Sequence, residues 1–258
     1  TAMIAPLPFA LLVLVGITIS FTIGRRIGAR AAVRDPKGFT KGNSAIDGAV
    51  YGLFALLLAF TFSGAATRFD GRRELMGREA NAIGTAYLRL DLLPDEVREK
   101  VKKNVRDYLD ARIETFARVD DRPVALAALA RAQRLQSEIW TDAVAATRAP
   151  GGPDAIALLP PLNAMFDILT TQRVAWETHP PKIVYAMLGV LAIVAALLGG
   201  HAMGAAKTPH LMHTSVYALV LATTTYIILD LEYPRLGLIR IDAADQVLVD
   251  LRATMGAR

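Results

Sequence analysis

Apolar and polar positions fall into long separate blocks along the chain. Four stretches, 1–24, 48–67, 183–206 and 208–229, contain no Asp, Glu, Lys or Arg. Each matches the roughly 20 helical residues that cross a hydrocarbon layer. They predict four transmembrane helices, over about 3–24, 48–67, 183–203 and 210–230. The first is read as a permanent helix and not a cleaved leader. No basic residue precedes it, it exceeds a signal core, and Gly24-Arg25-Arg26 follows it.

The second apolar stretch runs without a Gly/Pro break into residues 68–93, where polar and apolar residues recur at helical spacing as far as Pro94. One helix is therefore expected to leave the bilayer and continue. Beyond Pro94, Val97, Val101, Val105, Leu109, Ile113 and Phe116 form one apolar stripe. Arg122-Pro123 opens a further helix carrying Leu126, Leu129, Ala132, Leu135, Ile139 and Trp140, which stops at residues 149–153. A last helix of the insert, from Asp154 to Thr178, is expected to be interrupted by Pro160-Pro161 and ended by Pro180-Pro181. No part of the insert alternates like a strand.

The fold class that follows is an all-α membrane protein, with four transmembrane helices and a helical soluble domain inserted between the second and third. The divisions are 1–67 for the first helix pair, 68–181 for the helical domain and 182–230 for the second pair. A tail, 231–258, is expected to pack on the helical domain.

Composition and charge sharpen this picture. With 53% hydrophobic residues and a mean hydropathy of +0.35, the 258-residue chain is too apolar for a purely soluble enzyme. Lys and Arg number 29 against 24 Asp and Glu. The insert is nearly neutral, so the excess is local and does not point to a nucleic-acid partner. The absence of cysteine excludes disulfides, thiolate metal sites and cysteine nucleophiles. In the loop 24–47, Arg25, Arg26, Arg30, Arg34, Lys37 and Lys41 face only Asp35 and Asp47. The positive-inside rule then makes that loop cytoplasmic and places the insert in the periplasm of a bacterial inner membrane.

No dinucleotide, Walker, zincin or nucleophile-elbow motif occurs, so no enzyme activity and no cofactor are expected. His210 and His213 lie three apart without a carboxylate nearby and read as interfacial polar groups, not a metal site. His179 reads as a loop or cap residue, and Asp230 with Glu232 as a device that ends the last membrane helix and anchors the tail. Gly16, Ser20, Gly24 and Gly28, at intervals of four, and Gly48 with Gly52 permit close helix packing in lipid.

Phe54, Leu58 and Phe62 stand at i, i+4 and i+8, with Thr61 beside them. Copies of this helix around an axis would stack apolar rings into a gate that closes by dewetting. The alternative is that they face lipid or neighbouring helices. Further along, Glu79, Asn81 and Thr85 alternate with small residues, as in a water-lined vestibule, while Arg68, Arg72 and Arg73 at the membrane exit would attract anions. The alternative here is ion pairing within the domain. Asn163, Asp167 and Thr171 form a second polar face.

Leu-Leu-Ala-Phe-Thr-Phe-Ser at 57–63, Arg-x-Asp-x-Arg-Arg at 68–73, Glu-Ala-Asn-Ala-Ile-Gly-Thr-Ala-Tyr-Leu-Arg at 79–89, Leu-Leu-Pro at 92–94 and Asp-Leu-Glu-Tyr-Pro-Arg-x-Gly-Leu-Ile-Arg at 230–240 resemble the bacterial bestrophin-like membrane proteins from residue 46 onward. The resemblance implies a remote relation to bestrophins: pentameric anion channels whose long second helix lines the pore through an apolar neck and a polar vestibule, with the helical domain in the cytoplasm. That side is opposite to the one the loop charges favour. The acidic calcium-binding cluster of animal bestrophins has no counterpart here.

Two functional readings follow. The first is a homo-oligomeric ion channel, pentameric and anion-selective by resemblance, whose partners are its own copies, ions and membrane lipid. The other is a non-conducting sensor or scaffold whose helical domain binds a partner.

Overall fold

The computed structural model describes residues 6–35, 44–119, 121–205, 211–235 and 237–256. Regular structure among them is helical throughout: α1 (Pro6–Arg34), α2 (Ser44–Arg89), a single 3-10 turn (Leu90–Leu92), α3 (Asp95–Ala117), α4 (Arg122–Arg148), α5 (Ala155–Glu177), α6 (Lys182–Ala202), α7 (Leu211–Glu232) and α8 (Asp242–Gly256). Four of these helices, α1, α2, α6 and α7, are long and apolar enough to cross a membrane.

The 46 residues of α2 extend about 69 Å at about 1.5 Å per residue, roughly twice a hydrocarbon layer. The 3-10 turn stops it, and Pro94 then opens α3, whose first-turn Asp95 and Glu96 suit the positive end of the helix dipole. Asp121 and Asp154 cap α4 and α5 through their side chains, accepting from the backbone N–H of Val124 and Ile156.

Two helices differ from expectation. The first membrane helix does not end at Gly24 but continues to Arg34. Its last turns hold Arg, Ala, Ile and Val around a single glycine, Gly28, whose unfavourable helix propensity is offset by its packing against the His201 carbonyl. The tandem Pro160-Pro161 does not interrupt α5. Both prolines lie near its start, so the hydrogen bonds they forfeit would have gone to Ile156 and Ala157. Leu158, Leu162, Met165 and Leu169 bury one face of the same helix and hold it together.

The chain divides into two compact units. One comprises residues 1–69 and 179–239 and contains α1, α6, α7 and the first part of α2. In it α1 packs on α6 and α7, around Ile17, Phe21, Phe54, Tyr185, Leu188, Leu221 and Ile228. The contact between α1 and α6 is backbone on backbone. A Cβ at Gly24 would occupy the Leu197 carbonyl, one at Gly28 the His201 carbonyl, and one at Gly200 the Phe21 carbonyl. The Gly24/Gly28 spacing therefore serves close packing, as read from the sequence. Gly48 and Gly52 have nothing of their own chain within 4 Å of a Cβ.

The other unit comprises residues 70–178 and 240–258. Here α3 packs on α4 and α8. Val101, Val105, Tyr108, Leu109, Ala132, Ile139, Leu158, Leu162 and Leu248 are all inaccessible to solvent. A bidentate pair from Arg252 to Asp110, at 2.8 and 3.1 Å, pins α8 to α3.

Candidate functional site

Within the membrane unit, the faces of α2 are set by what its side chains touch. Phe54 is 5% exposed and sits in the core with Ile17, Phe21 and Tyr185. Leu58 is half-buried against the same cluster. Thr61 is buried and donates to the Leu57 carbonyl at 2.7 Å, satisfying its hydroxyl within its own helix. Phe62, in contrast, is 42% exposed. Within the chain the three residues expected to form a gate therefore differ in what they meet: Phe54 and Thr61 point into their own chain, Leu58 is half-buried and Phe62 points outward. Four residues advance a helix by about 400°, so each i, i+4 step drifts about 40° and Phe62 lies about 80° from Phe54.

One outward row of this stretch runs through Ala45, Ala49, Gly52, Leu56, Phe60, Ser63 and Thr67, all exposed, with Ile46, Leu53 and Phe62 exposed beside it. Steps of three and four residues hold it in line. Small residues dominate it, broken by Leu56 and Phe60 at 51% and 67% exposure. The outward faces of the other membrane helices are richer in large side chains, although Thr18 and Thr22 on α1 and Ser215 and Thr223 on α7 are exposed as well. Leu11, Leu12, Val15 and Ile19 on α1, Ile183, Met187 and Val190 on α6, and Val216, Leu219 and Val220 on α7 are large aliphatics. That composition suits lipid, whereas a face of Gly, Ala, Ser and Thr suits close helix approach or a lumen.

At the membrane-unit end of α2, Arg68 sends Nε to both oxygens of Glu232, at 3.1 and 2.8 Å, and Nη2 to Oε2 at 2.7 Å. Glu232 is fully buried and also meets His179 Nδ1 at 2.8 Å. His179 stacks obliquely on Tyr233, with ring centroids 4.8 Å apart. Two residues earlier, the buried Asp230 accepts the backbone N–H groups of Leu238 and Ile239, both at 2.9 Å. The expectation that Asp230 anchors the segment after α7 is met by these two bonds, while Glu232 binds Arg68 and His179.

In the helical unit, Arg72 is 1% exposed and donates to the Ala175 and Thr178 carbonyls, closing the C-terminal end of α5 with Trp176 beneath its guanidinium. Glu79 is also fully buried. Arg112 Nε reaches its Oε1 at 2.6 Å, Gln172 Nε2 reaches its Oε2 at 2.7 Å, and Arg112 Nη2 meets Gln172 Oε1 at 2.5 Å. The Arg112 guanidinium also lies over the Phe116 ring, at 4.6 Å. Burial acts to lower the Arg112 pKa and the Glu79 carboxylate acts to raise it, with a net upward shift. Burial likewise pushes the Tyr108 hydroxyl well above its usual range.

The residues expected to line a vestibule fall into two groups by their surroundings. Arg68, Arg72 and Glu79 are held by partners in their own chain, because a charge removed from water must be paired. Asn81 and Thr85 are exposed, as are Asp70, Glu74 and Leu88 on the same stretch of α2. The exposed arginines there stand beside carboxylates: Arg73 is 3.7 Å from Asp70, and Arg78 is 2.7 Å from Glu74. Asn163 and Asp167 hydrogen-bond each other on an exposed face of α5, and Thr171 donates to the Asp167 carbonyl.

Sequence reasoning missed the Arg112–Glu79–Gln172 cluster. Its signal was present, since Arg112 sits on the apolar stripe of α3 between Leu109 and Phe116. No metal-binding group of three His, Cys, Asp or Glu exists among the described residues. His210 and the side chain of His213 lie outside them.

These features define an all-helical membrane protein of four apolar helices with a helical unit interposed between the second and the third. More particularly, the chain belongs to the Bestrophin-like family, whose domain model matches residues 10–245. A mutant crystal structure of a bacterial bestrophin homologue from Klebsiella pneumoniae superposes with a TM-score of 0.69 at 14% identity, covering 95% of this chain and 99% of that one. A second mutant of the same homologue gives 0.68 at 15% identity, over 98% and 99%. The structure of that homologue phased with zinc gives 0.65 at 16% identity, over 95% and 97%. At such identities the likeness is one of fold. A search of the curated proteins returned no match.

Proposed function

We propose that the protein is a homo-oligomeric ion channel of a bacterial inner membrane, with α2 from each copy lining a central pore. The observation that carries this reading is a difference between the outward faces of the membrane helices: α2 has a row made mainly of small residues, whereas large aliphatics predominate on α1, α6 and α7. Membership of the Bestrophin-like family supports it and favours five copies. Gly52, Leu56 and Phe60 then form the neck, and Leu56 and Phe60 are its hydrophobic gate, since rings of large apolar side chains expel water from a narrow lumen. Asn81 and Thr85 line the water-filled end.

Anion passage is the family expectation. Arg73 and Arg78 are balanced by Asp70 and Glu74 on α2, so selectivity is expected to be weak.

The test is electrical: reconstitution in planar bilayers under a potassium chloride gradient. Currents with a reversal potential between zero and the chloride potential are expected. Reversal toward the potassium potential would overturn the selectivity, and silence from a folded oligomer would overturn the channel and leave a sensor or scaffold.

A further inference from the structure

The last turns of α1 form a feature that a conduction pathway along α2 does not use. Gly24 and Gly28 bury one face of α1 against the Leu197 and His201 carbonyls of α6. Arg26 and Arg30 are offset from those glycines by two residues, about 200° around the helix, and point outward with Arg34. Between them stand exposed apolar side chains, Ile23 at 45%, Ile27 at 47% and Val33 at 83%. The outward face of α1 is thus free of charge from Leu11 to Ile23, its exposed Thr18 and Thr22 hydroxyls donating to carbonyls of their own helix, and thereafter alternates arginine with isoleucine or valine.

Helix α1 contains no acidic residue. Among the described residues no carboxylate pairs with Arg26, Arg30 or Arg34. Residues 6–24 span about 28 Å at about 1.5 Å per residue, close to the hydrocarbon thickness, which sets Arg26 and Arg30 at headgroup depth. Unpaired guanidiniums at that depth, each flanked by an aliphatic side chain that belongs among acyl chains, present the two chemistries of one ligand. Phosphate takes the guanidinium fork in a two-point contact, and the acyl chain takes Ile23, Ile27 and Val33.

We propose that this face, Arg26, Arg30 and Arg34 with Ile27 and Val33, binds an anionic phospholipid of the surrounding leaflet. A basic segment that only sets topology needs positive charge and nothing else. A lipid site needs guanidinium geometry and accessible side chains as well.

The test is native mass spectrometry of the intact detergent-solubilised protein titrated with phosphatidylglycerol or phosphatidylcholine. Retained adducts are expected with phosphatidylglycerol at concentrations where phosphatidylcholine leaves few. R26Q/R30Q/R34Q should lose them at least about fivefold, while R89Q/R134Q/R148Q, which removes three exposed arginines of the helical unit, should keep them. Equal adducts with the two lipids, or full retention in the first variant, would overturn the proposal. R26K/R30K/R34K preserves the insertion signal and covers the case in which the glutamine variant does not insert. A phosphatidylglycerol preference reduced at least about twofold is expected for it, and a preference equal to wild type would overturn a guanidinium-specific site.

Discussion

The Glu232 carboxylate, at the end of α7, accepts the Arg68 guanidinium of α2 through both oxygens while meeting His179 with one of them. A fully buried acid is thereby shared by two cationic or cation-capable side chains from two other parts of the membrane unit. Glu232→Ala removes the acceptor and leaves a partly buried guanidinium unpaired, a change that costs about 3 kcal/mol. A melting temperature lower by roughly 6 °C or more is expected in detergent, read from tryptophan fluorescence or scattering.

The Arg112–Glu79–Gln172 cluster calls for a different experiment, because a buried ion pair need not stabilise relative to an apolar replacement. Arg112→Met alone strands the Glu79 carboxylate and is expected to cost about 3–5 kcal/mol. The double change Arg112→Met with Glu79→Leu should recover most of that loss. Thermal melts of wild type, the single variant and the double variant decide the point. A double variant no more stable than the single would mean that the cluster itself, and not merely the avoidance of a lone charge, sustains the fold.

Gly28 and Gly52 make a matched pair of substitutions. Gly28→Ala drives a methyl into the His201 carbonyl, whereas an Ala at Gly52 meets nothing of its own chain. Gly28→Ala should sharply lower the yield of folded protein, while Gly52→Ala folds normally and alters only conductance or assembly. Size-exclusion profiles and bilayer currents separate the two.

Phe54 and Phe60 separate core from gate. Phe54→Ala empties a core position and should cost about 3–5 kcal/mol of stability. Leu56→Ala with Phe60→Ala should leave the melt within about 1 kcal/mol of wild type and raise basal current severalfold. The reverse pattern, with leak from Phe54→Ala, would restore the neck to the 54/58/62 positions.

Gly237 tests the segment after α7. A Cβ there collides with the Asp230 carboxylate, which holds the N–H groups of Leu238 and Ile239. Gly237→Ala and Asp230→Ala are both expected to destabilise, and the double variant should be less than additive because both act on one contact. Thermal melts of the three variants measure the coupling.

The helical class and the four membrane helices were legible because charge-free blocks of about 20 residues have few other physical uses. Which way α2 faces was not. A membrane helix is apolar on its core side and its lipid side alike, so periodicity cannot distinguish Phe54, turned inward, from Phe60, turned outward. The size of side chains was the better guide, since Gly52, Ala59 and Ser63 mark a face unlike those of α1 or α7. The partners of Glu79 were not legible because they stand far along the chain, on α3 and α5, and a lone acid in a helix names no partner. The continuity of α5 through Pro160-Pro161 was hidden for a similar reason: the cost of proline is local, while the burial of Leu162, Met165 and Leu169 that offsets it is tertiary.

The glycine contact between α1 and α6 has a bearing on how the protein is made. Its two halves leave the ribosome far apart, because the whole of α2 to α5 is synthesised between them. At about 5–20 residues per second that interval is on the order of ten seconds or more. During it α1 must reside in the bilayer with Gly24 and Gly28 turned to lipid and no carbonyl to receive them. The nascent chain therefore passes through a stage in which its first helix waits for α6, and an insertase or lipid that shields the bare glycine face during that stage would govern the yield of folded protein.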